Sequence, residues 1–438
     1  MSDTLALLGG SPVVPPGLKV RWPAVTEEDK RAVMRVLDEG PLWALTTEQG
    51  LFAPEMEGLQ REFARFVGAR HCLACNGGTA AIHMALAAAG VEAGEEVITS
   101  AFSFLATPAA ILHQSAIPIF ADIDPRTFNI DPADIERRLT PRTRAIVPVH
   151  IHGVPAEMDA INALARRQNL IVIEDACQAP GAAYRGRPTG TLASMAAFSL
   201  NGTKNLAAGE GGLFVTDDQT YRDRANMVRM IGETLPPTDG TMKYQHLVAW
   251  NYRTQEMTSA FARSQLRRLE AVNLAARSNG EALTGRLASI PGVEPPYIPP
   301  HCESVYHKYR VRLRPQDLDL PLCGRAFRDL VRQALEAEGV DAVYWLEEPL
   351  PAHPIFQRRE GFGRGYPWTI NHSGYRYQVE DYPRTRDLID NSIVLCSELH
   401  PIYCQPPELI DRYAEAVAKV MNRSRLLRAA HMLAETRA

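Results

Sequence analysis

The 438-residue chain has no apolar run approaching the ~18 residues of a membrane span. Its start, MSDTLALLGGSPVV, lacks the charged head and long apolar core of a signal peptide. A cytoplasmic protein is therefore the expectation. Lysine and arginine are scattered rather than run together and the net charge is -4, so there is no basic footprint for nucleic acid. Cysteine is sparse: seven dispersed residues, an odd number, argue for reduced thiols rather than a disulfide framework. Cys72 and Cys75 form a C-x-x-C in HCLACNGG, but no second one exists to complete a zinc site, and both read as small apolar residues on a buried strand. His150 and His152 in VPVHIHG share a strand face, yet no third ligand stands near them and no metal site is expected. The stretch SLNGTKNLAAGEGG, 199 to 212, nearly matches a phosphate loop but lacks the Gly-Lys-Ser/Thr at the required spacing. Something other than a nucleotide must occupy Lys204.

What is present points to a layered protein. Hydrophobic content of 45% and charged content of 22% suit a soluble chain that buries a sizeable core, and at roughly 150 residues per domain the length suggests two or three domains. From about 70 to 216 the runs EEVITS, IPIFADI, RAIVPVHI, LIVIEDA, MAAFSL and GGLFVT alternate with helical patterns such as TAAIHMALAAAG (79–90) and AEMDAINALARRQ (156–168). That alternation is the signature of βαβ units and a mainly parallel sheet. Beyond 255, MTSAFARSQLRRLEAVNLAARSNGEALTGRLASI reads as one long helix, followed by a strand in HKYRVRLRP and a helix in GRAFRDLVRQALEAEGV. A Pro-, Gly- and Tyr-rich stretch, 346–384, precedes a final helix from 407 onward. The expected division is an α/β domain over 1–255 and a smaller α+β domain over 256–438. The irregular stretch is longer than a connection needs, which suggests a substrate-facing or subunit-facing role.

In open α/β sheets ligands sit beyond the carboxyl ends of the strands, and four groups of residues fall there. Gly77, Gly78 and Thr79 open a helix, where unpaired N–H groups and the helix dipole favour a phosphate. Phe102 and Phe104 follow a strand and offer a face for a flat ring. Glu174 and Asp175 end a strand, where a carboxylate can pair with a protonated ring nitrogen. Lys204 supplies an amine that can bond an aldehyde. Each has a plain structural reading when taken alone: a cap, core aromatics, an N-cap, a surface lysine. Together they are the set that pyridoxal phosphate requires. Asp175 would keep the ring nitrogen protonated, and Lys204 as a free amine would be the base for the 1,3-proton shift of transamination.

These residues resemble the DegT/DnrJ/EryC1/StrS family of pyridoxal-phosphate aminotransferases, which act mainly on keto sugars and cyclitols. The likeness runs from LALLGGSPV to SIVLCSELHP and is most specific in VIEDACQAPGAAYRG and FSLNGTKNLAAGEGG. RTFNIDP, RAIVPVHIHGVPAEMDAI and NYRTQEMTSAFARSQL stand in the expected order. The resemblance implies the type I fold of the aspartate aminotransferase class, with a mainly parallel seven-stranded sheet domain plus a smaller α+β domain. It also implies a homodimer whose active sites are built from both subunits. Lys204 matches the lysine that bonds the cofactor aldehyde, Asp175 the carboxylate on the pyridine nitrogen, and Gln178 the neighbour of the ring hydroxyl. Gly78, Thr79 and Ser199 match the phosphate-binding positions, Phe104 the stacking aromatic, and Asn251 an asparagine that reaches the cofactor phosphate of the other subunit. There are departures. Gly77 replaces a commoner Asn or Ser, Asn201 occupies a variable position beside the lysine, ELHPIYCQPPEL is unlike the usual Leu-Pro pattern, and 346–384 has no clear counterpart.

The implied reaction runs in two half-reactions: glutamine or glutamate gives up its amino group, and a ketone on a sugar or cyclitol accepts it. LALLGGSPV is more like the cyclitol and antibiotic-sugar branch than the lipopolysaccharide branch. Deoxysugar dehydratases of the same family carry histidine at the lysine position, so Lys204 argues against that alternative. A non-catalytic binding or regulatory module predicts a defective site, whereas lysine, aspartate, Gly-Thr and serine are all in place. His307, Tyr309 and His372 are isolated polar residues and read as structural.

Overall fold

The β-branched runs between 70 and 216 become the strands of one sheet. In the computed structural model, which describes residues 4–42, 45–47, 50–233, 246–371 and 374–437, a short hairpin of β1 (Leu45–Thr47) and β2 (Gly50–Phe52) comes first. The sheet strands are β3 (His71–Cys75), β4 (Glu96–Ser100), β5 (Ile117–Ala121), β6 (Thr143–Val147), β7 (Ile171–Asp175), β10 (Met195–Ser199) and β11 (Gly212–Thr216). Two short strands, β8 (Ala183–Tyr184) and β9 (Arg187–Pro188), lie between β7 and β10. The seven strands are ordered β3-β11-β10-β7-β6-β4-β5, and β11 alone runs antiparallel to its neighbours. Strands β4, β5, β10 and β11 are buried at every residue, as apolar runs must be in a sheet covered on both faces. Cys72 and Cys75, three apart on β3, therefore face opposite layers: Cys72 packs with Phe63, and Cys75 with Ala85 and Val97. Both thiols are buried and reduced, and burial pushes Cys75 up to about 11.

Seven helices belong to this half: α1 (Glu27–Glu39), α2 (Pro54–Val67), α3 (Gly78–Ala88), α4 (Ala106–His113), α5 (Pro132–Arg138), α6 (Met158–Gln168) and α7 (Gln219–Arg229). Helix α3 is apolar nearly all round and buried accordingly, and its N-terminus abuts the sheet's carboxyl edge. Among the described residues no helix is long and apolar enough to cross a membrane.

The long helix expected over 257–290 is two helices, α8 (Glu256–Leu266) and α9 (Leu269–Leu287). The chain turns at Arg267 and Arg268 because Leu269 is fully buried while the Arg268 guanidinium reaches back to Asp29 Oδ2 at 2.7 Å. The break lets α8 lie on α1 and α2 while α9 supports the second core. A four-stranded antiparallel sheet follows, ordered β12-β14-β16-β15, from β12 (Val293–Glu294), β14 (Tyr309–Leu313), β15 (Ala342–Val343) and β16 (Ser392–Leu395). β13 (Cys302–Glu303) instead pairs with β8 of the first half. Helices α10 (Gly324–Ala337) and α12 (Pro383–Asp390) pack on the small sheet, and α11 (Pro354–Arg358) lies between them in sequence. The single final helix expected from 407 is also divided, into α13 (Pro407–Val420) and α14 (Arg423–Arg437). Asn422 restarts it as an N-cap, its Oδ1 accepting from Arg425 N at 3.3 Å and Ser424 Oγ at 2.7 Å.

The two ends of the chain share a core. Leu5, Val14 and Trp22 pack with Val311, Phe327 and Tyr413. A buried ion pair, Lys419 to Glu338 at 2.8 Å, anchors the N-terminal segment: the Glu338 carboxylate accepts from Ala6 N (2.8 Å) and Val13 N (3.1 Å), while Lys419 donates to Ser11 O (3.0 Å). These bonds satisfy a pair that burial alone would penalise. The irregular 346–384 stretch covers an edge. Leu350, Phe356, Trp368, Tyr377 and Tyr382 pack on Ile117, Ile119 and Phe120, and Tyr377 OH donates to Pro118 O at 2.9 Å. β5 is the outer strand of the large sheet, so a cover there explains the length of the stretch.

Candidate functional site

A cavity of about 460 Å³ opens at the carboxyl ends of β7 and β10, against the N-terminus of α3. Gly77 is the N-cap of α3, so the backbone at Gly78 and Thr79 begins the helix at the cavity wall, where N–H groups lack intrahelical partners. Close backbone approach builds this corner. A Cβ on Gly212 would lie 2.3 Å from Gly77 O, and one on Gly78 would lie 2.9 Å from Cys177 Sγ and 3.0 Å from Ser199 Cβ. Ser199, the last residue of β10, lines the same corner, its Oγ accepting from Asn201 N at 3.2 Å.

Strand alternation separates the two carboxylates of IEDA. Asp175 lines the cavity: its Oδ2 accepts from Thr107 Oγ1 at 2.7 Å and its Oδ1 from Cys177 N at 3.1 Å. Glu174 faces away and is spent on structure, accepting from the backbone N–H groups of Gly190 (2.8 Å), Leu192 (2.7 Å) and Ala193 (3.0 Å). His150 Nε2 lies 2.9 Å from Glu174 Oε2 while its Nδ1 accepts from Ala156 N at 3.1 Å, so Nε2 carries the proton. His152 accepts at Nε2 from Arg310 Nε (3.1 Å). Among the described residues no three His, Cys, Asp or Glu side chains gather as a metal site.

Lys204 stands on a loop closed by backbone bonds from Leu200 N to Gly211 O (2.8 Å), Ala208 N to Leu200 O (2.7 Å) and Gly202 N to Gly209 O (2.8 Å). Gly209, at φ 82°, takes the left-handed turn that closes it. Two aromatics hold the lysine's turn from outside: Trp22 Nε1 donates to Lys204 O at 3.0 Å, and Tyr403 OH to Thr203 O at 2.8 Å. Their rings meet edge-on at 5.0 Å. Burial pulls the Lys204 ammonium below its usual value, against the opposing pull of Cys177, Asp175, Glu398 and Glu210. A lowered value makes the neutral, nucleophilic amine easier to reach.

Gln178 lines the cavity and its Oε1 accepts from His152 N at 2.8 Å. The two phenylalanines divide: Phe102 is fully buried against His152 and Trp345, whereas Phe104 lines the cavity at 61% exposure. Thus Gly78, Thr79, Phe104, Asp175, Gln178, Ser199 and Lys204 all meet at one cavity. Asn251 does not; it is exposed, on a segment bridged to Met230.

Several lining residues had no signal strong enough to single them out. Thr107 sits within the SAFSFLAT group, one turn beyond Phe104, and its bond to Asp175 is visible only in three dimensions. His307, read from sequence as structural, lines the cavity with Nδ1 3.2 Å from Asn205 Oδ1, and burial together with Lys204 and Lys308 drives its imidazole well below the ordinary range. Tyr309 is structural, fully buried with its hydroxyl 2.8 Å from Thr284 Oγ1, and His372 lies outside the described residues. Glu210, Trp345 and Glu398 complete the mouth.

Residues 25–373 match the DegT/DnrJ/EryC1/StrS aminotransferase family. The chain belongs to this family. Like other DegT/DnrJ/EryC1/StrS aminotransferases it is a pyridoxal-phosphate-dependent aminotransferase. It is 33% identical over 433 residues, 96% of this chain and 98% of the relative, to a putative L-glutamine:3-amino-2,3-dideoxy-scyllo-inosose aminotransferase of Streptoalloteichus tenebrarius. It is 34% identical to the dTDP-3-amino-3,4,6-trideoxy-alpha-D-glucose transaminase of Streptomyces venezuelae, over 77% of this chain and 82% of that one. The fold superposes on the crystal structure of DesV from S. venezuelae with a TM-score of 0.77 at 29% identity, covering 92% and 99% of the two chains. The donor set of this DegT/DnrJ/EryC1/StrS site fits the cofactor: a helix N-terminus for its phosphate, a fixed carboxylate, and a lysine with depressed basicity.

Proposed function

We propose that the protein moves an amino group from glutamine or glutamate to a keto sugar or keto cyclitol by a ping-pong sequence, in the biosynthesis of an aminosugar, aminocyclitol or related natural product. The observation that carries this reading is the meeting of Lys204 and Asp175 in one cavity beside the open N-terminus of α3. The printed names of the Streptoalloteichus and Streptomyces relatives support a glutamine donor and a cyclitol or sugar acceptor.

When bound, pyridoxal phosphate supplies an aldehyde and an electron-withdrawing ring. Gly78, Thr79 and Ser199 would hold its phosphate, Phe104 would cover a ring face, and Gln178 would serve the ring hydroxyl. Asp175, its carboxylate already fixed by Thr107 and Cys177 N, would keep a proton on the ring nitrogen. Lys204 would hold the cofactor through its aldehyde, and as a free amine its Nζ would take the proton from the donor's α-carbon. Asn251, exposed and away from its own cavity, is available to the cavity of a second copy, which supports a homodimer with shared sites. On this reading residues 1–255 carry the cofactor and 256–438 close the mouth over the substrate, in a cytoplasmic enzyme.

Holoprotein mixed with glutamine, then separately with glutamate, tests the reading. The visible absorption band of the lysine-bound cofactor is expected to fall with at least one donor and to return on adding a keto cyclitol or keto sugar. A band indifferent to both donors overturns the reading.

A further inference from the structure

Arg310, on β14, is buried at 1% exposure, and among the described residues every group it bonds is neutral. Its Nε donates to His152 Nε2 (3.1 Å), Nη1 to Ser392 Oγ (2.7 Å) and Nη2 to Tyr344 O (3.0 Å). The guanidinium carbon lies 5.1 Å from the ring centre of Phe102 and 5.9 Å from that of Trp345. Burial and the Arg328 guanidinium both act against its charge. A buried cation without a carboxylate is a poor device for stability. Its placement points to a task other than holding the fold.

Strand alternation sets where that task lies. Tyr309 and Val311 enter the C-terminal core, so Arg310 between them turns to the opposite face, where it meets His152 and Phe102 of the first half. His152 (φ 57°) and Trp345 (φ 65°) both take the left-handed backbone that bulky residues avoid, and their rings meet edge-on at 4.8 Å. Arg310 bonds the ring of the first and the carbonyl just before the second. Trp345 and Gln178 line the cavity on the far side of this cluster.

The hydrogen bonds have a direction. Because His152 Nε2 accepts from Arg310, the imidazole proton sits on Nδ1, which is buried and makes no bond. The Gln178 side chain favours a proton on this ring, and the His152 backbone N–H donates to Gln178 Oε1 at 2.8 Å. A backbone N–H can only donate, so the Gln178 oxygen is turned toward His152 and its amide NH2 is left for the cavity. Arg310, His152 and Gln178 are all buried within one subunit, so the relay is complete without a second copy.

We propose that Arg310 is a positioning residue: it fixes His152, and through His152 the Gln178 amide, so that Gln178 Nε2 donates to the ring oxygen of the cofactor. This inference rests on the reading of Gln178 given above and adds the two residues that aim it.

The test titrates apoprotein with pyridoxal phosphate for wild type, Arg310→Met, Gln178→Met and the double variant. Arg310→Met exchanges an unpaired buried charge for an apolar chain, so the apoprotein Tm is expected to stay near that of wild type. Cofactor affinity is expected to fall about 10-fold, as loss of one well-placed hydrogen bond gives. Part of the visible band is expected to move to shorter wavelength, because a ring oxygen that loses a donor holds its proton more tightly. Gln178→Met is expected to show the same two effects. The double variant is expected to bind within about twofold of Gln178→Met, since Arg310 acts through that amide. Arg310→Lys keeps a donor for His152 and is expected to lie between wild type and Arg310→Met; it takes the same place in the cycle if Arg310→Met does not fold. Loss of the wild-type band on adding glutamine checks the aminotransferase reading separately and needs no variant. Additive losses in the double variant, or a lowered apoprotein Tm with cofactor affinity and band unchanged, overturn the inference.

Discussion

The indole N–H of Trp22 donates to the backbone carbonyl of Lys204 at 3.0 Å, across 182 positions of sequence. Trp22 is itself fixed: its own N–H donates to Leu399 O at 2.8 Å, and two residues earlier Val20 N donates to Gln405 Oε1 at 2.9 Å. Tyr403, on the same C-terminal segment, holds the carbonyl of Thr203. The turn that presents Lys204 is therefore gripped by segments from both ends of the chain. Trp22 and Tyr403 both lie outside residues 25–373, the span that matches the family, yet they hold the turn on which its lysine stands.

Trp22→Phe keeps the ring against Tyr403 and deletes the N–H, taking a partner from the part-buried Lys204 carbonyl at a cost of about 1 kcal/mol. The variant is expected to fold, to bind the cofactor more weakly, and to show a shifted visible band. Titration of the apoprotein with pyridoxal phosphate measures this. Loading and a spectrum identical to wild type would assign Trp22 to packing alone.

Asp175→Asn preserves the shape and the acceptor oxygen for Thr107 but removes the charge opposite the ring nitrogen. Cofactor loading is expected to survive while the glutamine half-reaction slows by about 100-fold or more, in line with loss of a fixed electrostatic partner. Stopped-flow absorbance of the donor half-reaction checks it. A change of less than about threefold contradicts the role given to Asp175.

The secondary structure was legible where one local property decided it. The apolar, β-branched runs could bury themselves only as central strands, and TAAIHMALAAAG only as a buried helix. The two helix breaks were not legible: Arg267–Arg268 reads as good helix, and the turn exists because Arg268 answers Asp29 more than 200 residues away in sequence while Leu269 seeks the core. Asn422 was a local signal, an N-cap inside an otherwise helical run, that apolar periodicity outweighed. Within the site, residues carried by a motif came together, and those that converge from distant segments did not announce themselves. Nothing in the neighbourhood of Trp22, His307 or Glu398 says that each abuts the lysine loop or its cavity. The same limit applied to 346–384, whose length has a packing reason on β5 that its composition does not show.

Burial lowers the Lys204 amine, so the pH at which it reacts should be lowered too. A free lysine amine titrates near ~10.4, and below that value it is mostly protonated and unreactive. A Lys204 with a depressed value is neutral over part of that range, and its rate of bonding the cofactor aldehyde is expected to rise with pH and level off below the free-lysine value. Apoprotein, prepared by removing the cofactor, gives the profile when the band is followed after mixing at successive pH values. A midpoint at or above that of free lysine contradicts the burial argument.

The central claim is that Lys204, and no other lysine, carries the cofactor. Borohydride reduction of the holoprotein followed by peptide mass analysis tests it most directly, since reduction makes the bond permanent at whichever side chain holds the aldehyde. The account predicts that the pyridoxyl mass falls on the peptide containing SLNGTKNLAAGEGG, at Lys204, and that Lys204→Ala yields no labelled peptide and no visible band. Label on another lysine, or a band that persists in Lys204→Ala, would contradict it.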